Sequence, residues 1–199
     1  MLQLRFASAS PYARKVMVIV HETGLSDEVQ IVPTNPHQEE SLRTQNPLCK
    51  VPTLVLEDGE SLFDSPVIVE YLLALASNTD LLPLGGPARW SVLRLQALGD
   101  GICDAAFGSR MESLRTDAEQ SKAYLARQEA AMMASADWLE GQARQLEPIT
   151  LGSLAVACGL GYIDFRLPHI DWRTGRPRLA AWYAAVETRP SLVATKPTA

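Results

Sequence analysis

The segment Lys50–Leu72 restricts the possible folds of this chain more than any other stretch of its sequence. It contains KVPTLVLEDGESLFDSPVIVEYL. The run Thr53–Leu56 is typical of a strand, Asp58-Gly59 predicts a tight turn, and Ser61–Phe63 predicts the returning strand. Apolar residues then recur at helical spacing. The segment therefore predicts a β-hairpin followed directly by an amphipathic helix.

The helix after this hairpin is introduced by Asp64-Ser65-Pro66. Ser65 is a favourable N-cap, and Pro66 suits the first helical position because its missing N–H costs nothing there. The free N–H groups and the positive end of the helix dipole at Ser65 suit a carboxylate, and Asp64 suits an ammonium group. These residues predict a site for one end of an amino acid, although an ordinary capped helix with a solvated aspartate explains the same pattern.

Val51-Pro52 lies just before the first strand of the hairpin. Proline cannot donate to a sheet ladder, so we expect Pro52 at the first residue of its strand or in a turn. A cis bond would turn the backbone of Val51 outward, where it can pair with a short extended ligand, but the sequence leaves cis and trans open. Together with Asp64-Ser65, this bend suggests a site for a small peptide-like ligand.

The N-terminus supplies a third feature of the same kind. The alternation over residues 2–6 predicts a strand, and Ser10-Pro11 predicts the start of a helix that runs to about Thr23, with Gly24 as its stop. Ser10 therefore lies at the positive end of a helix. Arg14 and Lys15 lie within about one turn of it, and both are compatible with a position facing solvent.

A hydroxyl in the position of Ser10 can donate to a bound thiolate and stabilise it. Lowering a thiol pKa by about 2 requires about 2.7 kcal/mol of preferential interaction with the anion. One hydrogen bond to a charged group contributes about 1.5–3 kcal/mol. Ser10 is thus a candidate for thiolate stabilisation, and a purely structural N-cap is the alternative.

The order of the predicted elements in the first half of the chain is βαβαββα, whose βαβ crossover should be right-handed. This order is similar to that of a thioredoxin-like domain. With the residues quoted above, it resembles the N-terminal domain of the cytosolic-type glutathione S-transferase superfamily, in its bacterial branch. The predicted elements are strand 2–6, helix 11–23, strand 28–32, helix 38–45, hairpin 53–63 and helix 66–76.

The second half of the chain extends the resemblance. The segment Thr150–Arg166 looks like the central buried helix of that family, and Arg176–Pro190 looks like its late helix. The resemblance implies an α/β plus all-α fold. Residues 1–77 would form a thioredoxin-like, glutathione-binding domain, residues 78–86 a linker, and residues 87–199 an all-helical domain for the second substrate and for dimerisation.

The resemblance also implies roles for single residues. Ser10 occupies the position of the catalytic residue that contacts the glutathione sulfur, with Ser8 and, more weakly, Tyr12 as rivals. The remaining glutathione-binding positions follow the same motif. Val51, next to a cis Pro52, would pair with the cysteinyl part, Asp64 and Ser65 would hold the γ-glutamyl end, and Lys50 would approach the glycyl carboxylate.

Two long helices are predicted after the linker, one from about Trp90 and one over residues 121–145. In the family such a pair lines the second-substrate pocket and helps to form the dimer. The candidates for that pocket are Cys103, Asp104, Phe107 and Arg110, and a core or solvent role fits each of them equally well. Asp100 is a candidate to reach a γ-glutamyl ammonium group across a dimer interface.

The sequence departs from the family pattern at two places. The buried helix commonly opens with Ser/Thr-x-x-Asp, whereas this chain has Thr150-x-x-Ser153, and a serine is a weaker reciprocal partner than a carboxylate. Cys49 lies next to the expected site, where a mixed disulfide with glutathione and a structural thiol are both possible. A serine at position 10, in place of a cysteine, favours a glutathione thiolate that attacks another molecule.

Composition excludes several other classes. The three cysteines are scattered, no zinc or other metal spacing occurs among the three histidines, and no apolar run is long enough to span a bilayer. The net charge of −5 carries no basic patch that would suggest nucleic acid. From the resemblance we expect a cytoplasmic homodimer that uses glutathione as co-substrate, and from the composition we expect no metal and no membrane or nucleic acid as partner.

The implied function is that of a glutathione transferase, which activates the glutathione thiol for attack on an electrophilic small molecule. Two alternatives stay open at this point, since a fold does not fix a reaction. One is a glutathione-dependent disulfide or peroxide reductase, isomerase or lyase. The other is a non-catalytic binding module on the same fold.

Overall fold

The computed structural model describes residues 1–198 of the chain. They form two compact units, one made of Met1–Leu82 with the segment that begins at Pro190, and one made of Pro83–Arg189. None of the helices in residues 1–198 is long and apolar enough to cross a membrane.

The first unit contains a four-stranded sheet in the order β2-β1-β3-β4. The parallel pair β1–β2 runs from Leu2 opposite Val29 to Phe6 opposite Pro33, and β3 lies antiparallel to both β1 and β4. The sheet confirms the predicted mixed α/β domain. Its strands are β1 (Leu2–Phe6), β2 (Val29–Pro33), β3 (Thr53–Val55) and β4 (Ser61–Leu62).

Two helices of this unit pack against each other, α1 (Pro11–Glu22) and α2 (Ser65–Leu75). The end of α1 was predicted correctly, because Gly24 adopts the left-handed conformation (φ 73°) that a glycine tolerates after a helix. The helix predicted over residues 38–45 is wrong, since the structure has only a 3-10 turn at Glu40–Thr44. Leu42 is the one apolar residue of residues 38–45 and is buried, so a longer helix would have no apolar face.

The C-terminal segment does not belong to the domain in which it was predicted, which was the helical domain of residues 87–199. The short helix α7 (Pro190–Ala194) belongs to the first unit and not to the helical one. It is held against α1, because Arg14 Nη2 donates to the carbonyl of Leu192 at 3.1 Å and the Ser191 hydroxyl donates to Glu22. Arg14 and Glu22 of α1 thus attach α7 to the first unit.

The second unit consists of helices, as predicted. Its central helix is buried along Leu151–Ile163, which agrees with the expected buried helix. The other helices pack around it. The helices of this unit are α3 (Gly86–Ser113), α4 (Lys122–Gly141), α5 (Leu151–Arg166) and α6 (Pro177–Val186).

The start of α5 is fully capped despite its serine. The Ser153 N–H donates to Thr150 Oγ1 at 3.2 Å, and the Thr150 N–H donates to Ser153 Oγ at 2.9 Å. A carboxylate is therefore not needed to complete the reciprocal capping pattern. Ser153 Oγ also lies within hydrogen-bonding distance of the Pro148 carbonyl at 3.1 Å, a contact that a carboxylate could not make by donation.

Helices α3 and α5 run parallel in close contact. A Cβ on Gly152 would lie 2.5 Å from the Val92 carbonyl oxygen, and one on Gly99 would lie 2.5 Å from the carbonyl carbon of Ala155. A Cβ on Gly159 would meet Ile102 Cγ2 at 3.1 Å. The contacting residues follow each other in the same chain direction on both helices, from Val92 and Gly152 to Ile102 and Gly159. The two helices therefore keep one register as they run toward their C-terminal ends.

Candidate functional site in the first unit

Ser10 caps α1, as its sequence predicts. The residue is extended (φ −87°, ψ 121°), and its Oγ accepts the N–H of Ala13 at 3.2 Å. Within residues 1–198 this is the one hydrogen bond of the Ser10 side chain, so its hydroxyl hydrogen is left for another acceptor. The residue is half-buried at a helix N-terminus, an environment that favours an anion.

The two rivals of Ser10 have different surroundings. Ser8 is exposed and lies in the turn before the helix, where Ala7 accepts the N–H of Ser10 at 3.0 Å. Tyr12 is half-buried inside α1 and has an interaction partner of its own. Ser10 is therefore the best placed of the three for an anionic sulfur.

The sheet brings the predicted ligand-binding segments to one end. Arg5, near the end of β1, pairs with Thr53, the first residue of β3. Leu62, the last residue of β4, pairs with Leu54. The end of β1, the start of β3 and the end of β4 thus meet at the same end of the sheet. The segments that continue from there are Ser10 with α1, Lys50-Val51-Pro52, and Asp64-Ser65 with α2.

The Val51–Pro52 peptide bond is cis, which settles a point that the sequence left open. Val51 is half-buried, Pro52 is buried, and Lys50 is exposed. Thr53 begins β3, so the proline precedes the ladder and removes no ladder hydrogen bond.

Asn46 holds this bend and was not singled out from the sequence. Its buried side-chain amide donates to the carbonyl of Lys50 at 3.1 Å and to Thr53 Oγ1 at 3.0 Å, and its oxygen accepts the N–H of Leu48 at 3.0 Å. The dipeptide Asn46-Pro47 is a turn signal and was the one clue available in the sequence.

The N-terminus of α2 begins one residue earlier than predicted. Asp64 is the N-cap, because its carbonyl accepts the first helical bond from the Ile68 N–H at 3.1 Å, and Ser65 is the first helical residue. Within the described chain the Asp64 side chain makes no capping bond. Asp64 is exposed, so its carboxylate is available to solvent, whereas Ser65 is only 2% exposed.

Arg14 and Lys15 do not face solvent. They are 6% and 1% exposed, and Arg14 is engaged with the segment that follows Pro190. Both cations are therefore structural parts of α1 in this unit. The apolar residues that flank Arg14 and Lys15 in the sequence gave no indication that these two cations would be buried.

Cys49 is half-buried and adopts a positive φ of 51°. Its Sγ lies 3.5 Å from the carbonyl oxygen of Pro36 and 3.8 Å from that of Glu39. It also lines a pocket of about 190 Å³ with His37 and Arg43. The thiol thus contacts the backbone of the preceding loop at two carbonyl groups.

The predicted second-substrate residues lie on α3, in the second unit. Cys103 is buried there, Asp104 is exposed with an interaction partner, Phe107 is 41% exposed, and Arg110 is half-buried. Asp100, on the same helix, also has a partner. In residues 1–198 no three His, Cys, Asp or Glu side chains are grouped as for a metal ion.

The comparisons with known proteins agree with this architecture. The family model described as glutathione S-transferase, N-terminal domain, matches residues 9–75, and the model described as glutathione S-transferase, C-terminal domain, matches residues 122–185. The chain is 35% identical to the uncharacterized GST-like protein YibF of Escherichia coli (strain K12) over 193 residues, which cover 94% of this chain and 95% of the relative.

Two solved structures of a glutathione transferase family member from Pseudomonas fluorescens Pf-5 are also similar. One contains bound glutathione and matches with 40% identity, a TM-score of 0.94 and full coverage of both chains. The other contains bound S-(propanoic acid)-glutathione and matches with 39% identity and a TM-score of 0.91, covering 100% of this chain and 98% of that one. The matched family models and the identity over nearly the whole length show that this chain belongs to the glutathione S-transferase superfamily.

Proposed function

We propose that the protein is a glutathione transferase, which binds reduced glutathione and activates its thiol for attack on an electrophilic small molecule. The observation that carries the proposal is the Ser10 hydroxyl, whose oxygen is used by the Ala13 N–H and whose hydrogen is available. Relatives with 40% and 39% identity bind glutathione and a glutathione conjugate, which supports the same ligand class here.

In the proposed mechanism the Ser10 hydroxyl donates a hydrogen bond to the glutathione sulfur at the N-terminus of α1. Both the donated bond and the positive end of the helix dipole favour the thiolate over the thiol. The thiolate forms a bond to the electrophilic carbon, and the leaving group departs with its bonding electron pair. The protein's part is to hold the sulfur as an anion at neutral pH.

The remaining glutathione groups are proposed to bind at the same end of the sheet. The backbone of Val51, before the cis Pro52, pairs with the cysteinyl portion, and Lys50 approaches the glycyl carboxylate. Asp64 pairs with the γ-glutamyl ammonium group, while Ser65 and the first N–H groups of α2 receive the γ-glutamyl carboxylate. The exposure of Asp64 and the capping position of its backbone support this assignment.

The second substrate is proposed to bind to the helical unit, with Asp104, Phe107 and Arg110 as its candidate contacts. A cytoplasmic homodimer is the proposed working form. Both proposals come from family membership.

Replacing Asp64 by Asn tests the proposed glutathione site. The variant keeps the N-cap backbone and the side-chain shape but loses the negative charge, so glutathione affinity should fall by about tenfold or more. Asp58→Asn is the matched control, because Asp58 lies in the exposed hairpin turn. Equal glutathione affinity of Asp64→Asn and the wild type, by isothermal titration, would remove Asp64 from the site.

A further inference from the structure

The C-terminal ends of α3 and α5 bring two arginines and a tyrosine together in the second unit. The register set by Gly99 against Ala155 and by Gly159 against Ile102 places Arg110 beside Arg166 when it is continued along the two parallel helices. Tyr162 lies one turn before Arg166 on the same face of α5. We call Arg110, Tyr162 and Arg166 the arginine–tyrosine cluster.

The contacts of Tyr162 connect the members of this cluster. Arg166 and Arg110 both lie close enough to the Tyr162 hydroxyl for their positive charges to lower its pKa, and Arg166 acts more strongly. An arginine can only donate, so neither guanidinium can accept the phenol hydrogen, which remains available to an added acceptor. Burial raises the pKa of Tyr162 more than the two arginines lower it, and the phenol therefore stays neutral and able to donate.

Arg166 has an unused donor inside the protein. Its guanidinium carbon lies 4.1 Å from the ring centroid of Phe165, a distance at which a cation–π interaction is favourable. Its Nε is buried and has no hydrogen-bond partner among residues 1–198. A buried N–H without a partner costs about 1–3 kcal/mol, so an acceptor that enters here would remove that cost.

The cluster has an excess of positive charge in an acidic protein. The chain has a net charge of −5, yet neither Arg110 nor Arg166 forms an ion pair with a carboxylate within the described residues. Other arginines of this unit do, since Arg173 pairs with Asp164 and Arg176 with Asp137.

Both unpaired cations lie in the last turns of their helices. The negative ends of the helix dipoles stabilise them there and offset part of their mutual repulsion. Two cations that form no ion pair among residues 1–198 thus lie near a phenol that can donate its hydrogen.

We infer that the arginine–tyrosine cluster binds a carboxylate, and that the second substrate of the enzyme is an electrophile carrying a carboxylate group. The assignment of this carboxylate to a second substrate rests on the proposed transferase function. The binding of a carboxylate by the cluster does not depend on that function. Guanidinium groups bind planar carboxylates through two parallel hydrogen bonds, and the phenol supplies a third donor. Phe107, 41% exposed one turn before Arg110, offers an apolar surface for the body of the substrate.

The probe pair is 4-chloro-3-nitrobenzoate and its neutral amide 4-chloro-3-nitrobenzamide. The two have nearly the same shape and differ in charge. Without glutathione neither reacts, and binding to the full chain is measured by calorimetry and by the arginine Nε–H signals in ¹⁵N NMR. We expect the benzoate to bind at least about tenfold more tightly than the benzamide and to shift the Arg166 Nε–H signal.

Variants then test whether the cluster provides that preference. Arg110→Gln and Arg166→Gln should each reduce it by about tenfold, and Tyr162→Phe, which removes one oxygen, should reduce it by a smaller factor. Arg127→Gln is the matched control, because Arg127 is an exposed arginine on α4 and its loss removes the same charge. Equal affinity for the two probes, or a preference that survives both arginine variants, would overturn the inference. Inorganic phosphate that binds more tightly than the benzoate would overturn the carboxylate assignment.

With saturating glutathione the same pair tests substrate selection. The thiolate forms the C–S bond at the carbon that carries chlorine, and chloride leaves with the electron pair of the broken C–Cl bond. The ratio of kcat/KM for acid over amide should fall by about tenfold in Arg166→Gln, and an unchanged ratio would overturn the assignment to the second substrate. Failure to bind glutathione would overturn the proposed transferase, whereas benzoate binding would still establish the cluster.

Discussion

Ser10 and Ala13 are joined by a hydrogen bond in which the serine oxygen accepts and the alanine N–H donates, at 3.2 Å. This bond caps α1 and at the same time holds the Ser10 oxygen at the N-terminus of the helix. One side chain thereby contributes to the stability of the helix and presents a donor at its positive end. The two roles are separable by experiment, since one is measured on the free protein and the other on the bound thiol.

Replacing Ser10 by Ala should affect both roles. Loss of the cap should lower the free energy of unfolding by about 1 kcal/mol in urea denaturation. Loss of the donor should raise the pKa of bound glutathione, so the pH–rate profile should move to higher pH while glutathione affinity stays largely intact. The thiolate absorbance in the ultraviolet gives the pKa directly.

Ser8→Ala is the control for this experiment, because Ser8 is exposed and lies two residues before the cap. A pH–rate profile that is unchanged in Ser10→Ala and displaced in Ser8→Ala would assign the sulfur contact to Ser8.

Asn46→Ala should destabilise the bend before β3. The change leaves the Lys50 carbonyl, the Thr53 hydroxyl and the Leu48 N–H without their shared partner, which should cost about 2–3 kcal/mol in the free energy of unfolding. Glutathione affinity should fall as well, since the amide positions the residues around Val51.

Asn35→Ala provides the comparison. Asn35 is exposed and accepts one bond from the His37 N–H, so its loss should cost about 0.5 kcal/mol. Similar losses in the two variants would contradict the special role of Asn46.

The sequence predicts the elements that depend on local chemistry. Ser10-Pro11 defines the start of α1 and Gly24 defines its end. An N-cap, a proline and a left-handed glycine each act within one turn of the helix end where they lie. The hairpin and the start of α2 are local in the same way, although a one-residue shift moves the cap from Ser65 to Asp64.

Features that depend on distant parts of the chain were beyond sequence reasoning. Arg14 and Lys15 are buried although they are cations, because α1 is covered in the folded unit and α7 supplies a carbonyl to Arg14. The role of Asn46 likewise depends on Thr53, which is brought near it by the fold. In the second unit, the approach of both Arg110 and Arg166 to Tyr162 depends on how two separate helices pack against each other.

Gly99→Ala should disrupt the pair α3–α5. Its methyl group would lie 2.5 Å from the carbonyl carbon of Ala155, and backbone atoms cannot rotate away. We expect a loss of about 3 kcal/mol in the free energy of unfolding, because the two helices must separate.

Gly101→Ala is a matched substitution two residues further along the same helix. Its methyl group would meet nothing within 4 Å, so it should stabilise the protein by about 0.5–1 kcal/mol through the higher helix propensity of alanine. Thermal or urea unfolding of both variants gives the comparison, and destabilisation of equal size would contradict the proposed close contact.

Asp171 should make stability depend on acid pH. The Thr174 hydroxyl, the Thr174 N–H and the Arg173 N–H donate to its carboxylate and hold its pKa below the usual value. The stabilisation is present above the unfolded-state pKa of about 3.9 and is lost as pH falls through the lower folded-state pKa.

The carboxyl carbon of Asp171, followed by NMR against pH, should therefore titrate below about 3.9. Asp171→Asn should remove that part of the acid dependence, whereas Asp117→Asn, which removes an exposed carboxylate on another loop, should leave it in place. A midpoint at or above the value of an unfolded aspartate would contradict the bonding described for this turn.

The most direct test of the central claim is isothermal titration of the full chain with reduced glutathione, alongside Ser65→Ala and Ser41→Ala. Ser65 is 2% exposed at the first turn of α2, whereas Ser41 is exposed. We predict saturable binding to the wild type, about tenfold weaker binding to Ser65→Ala, and unchanged binding to Ser41→Ala. No binding to the wild type at millimolar glutathione would contradict the assignment of this protein as a glutathione-using enzyme.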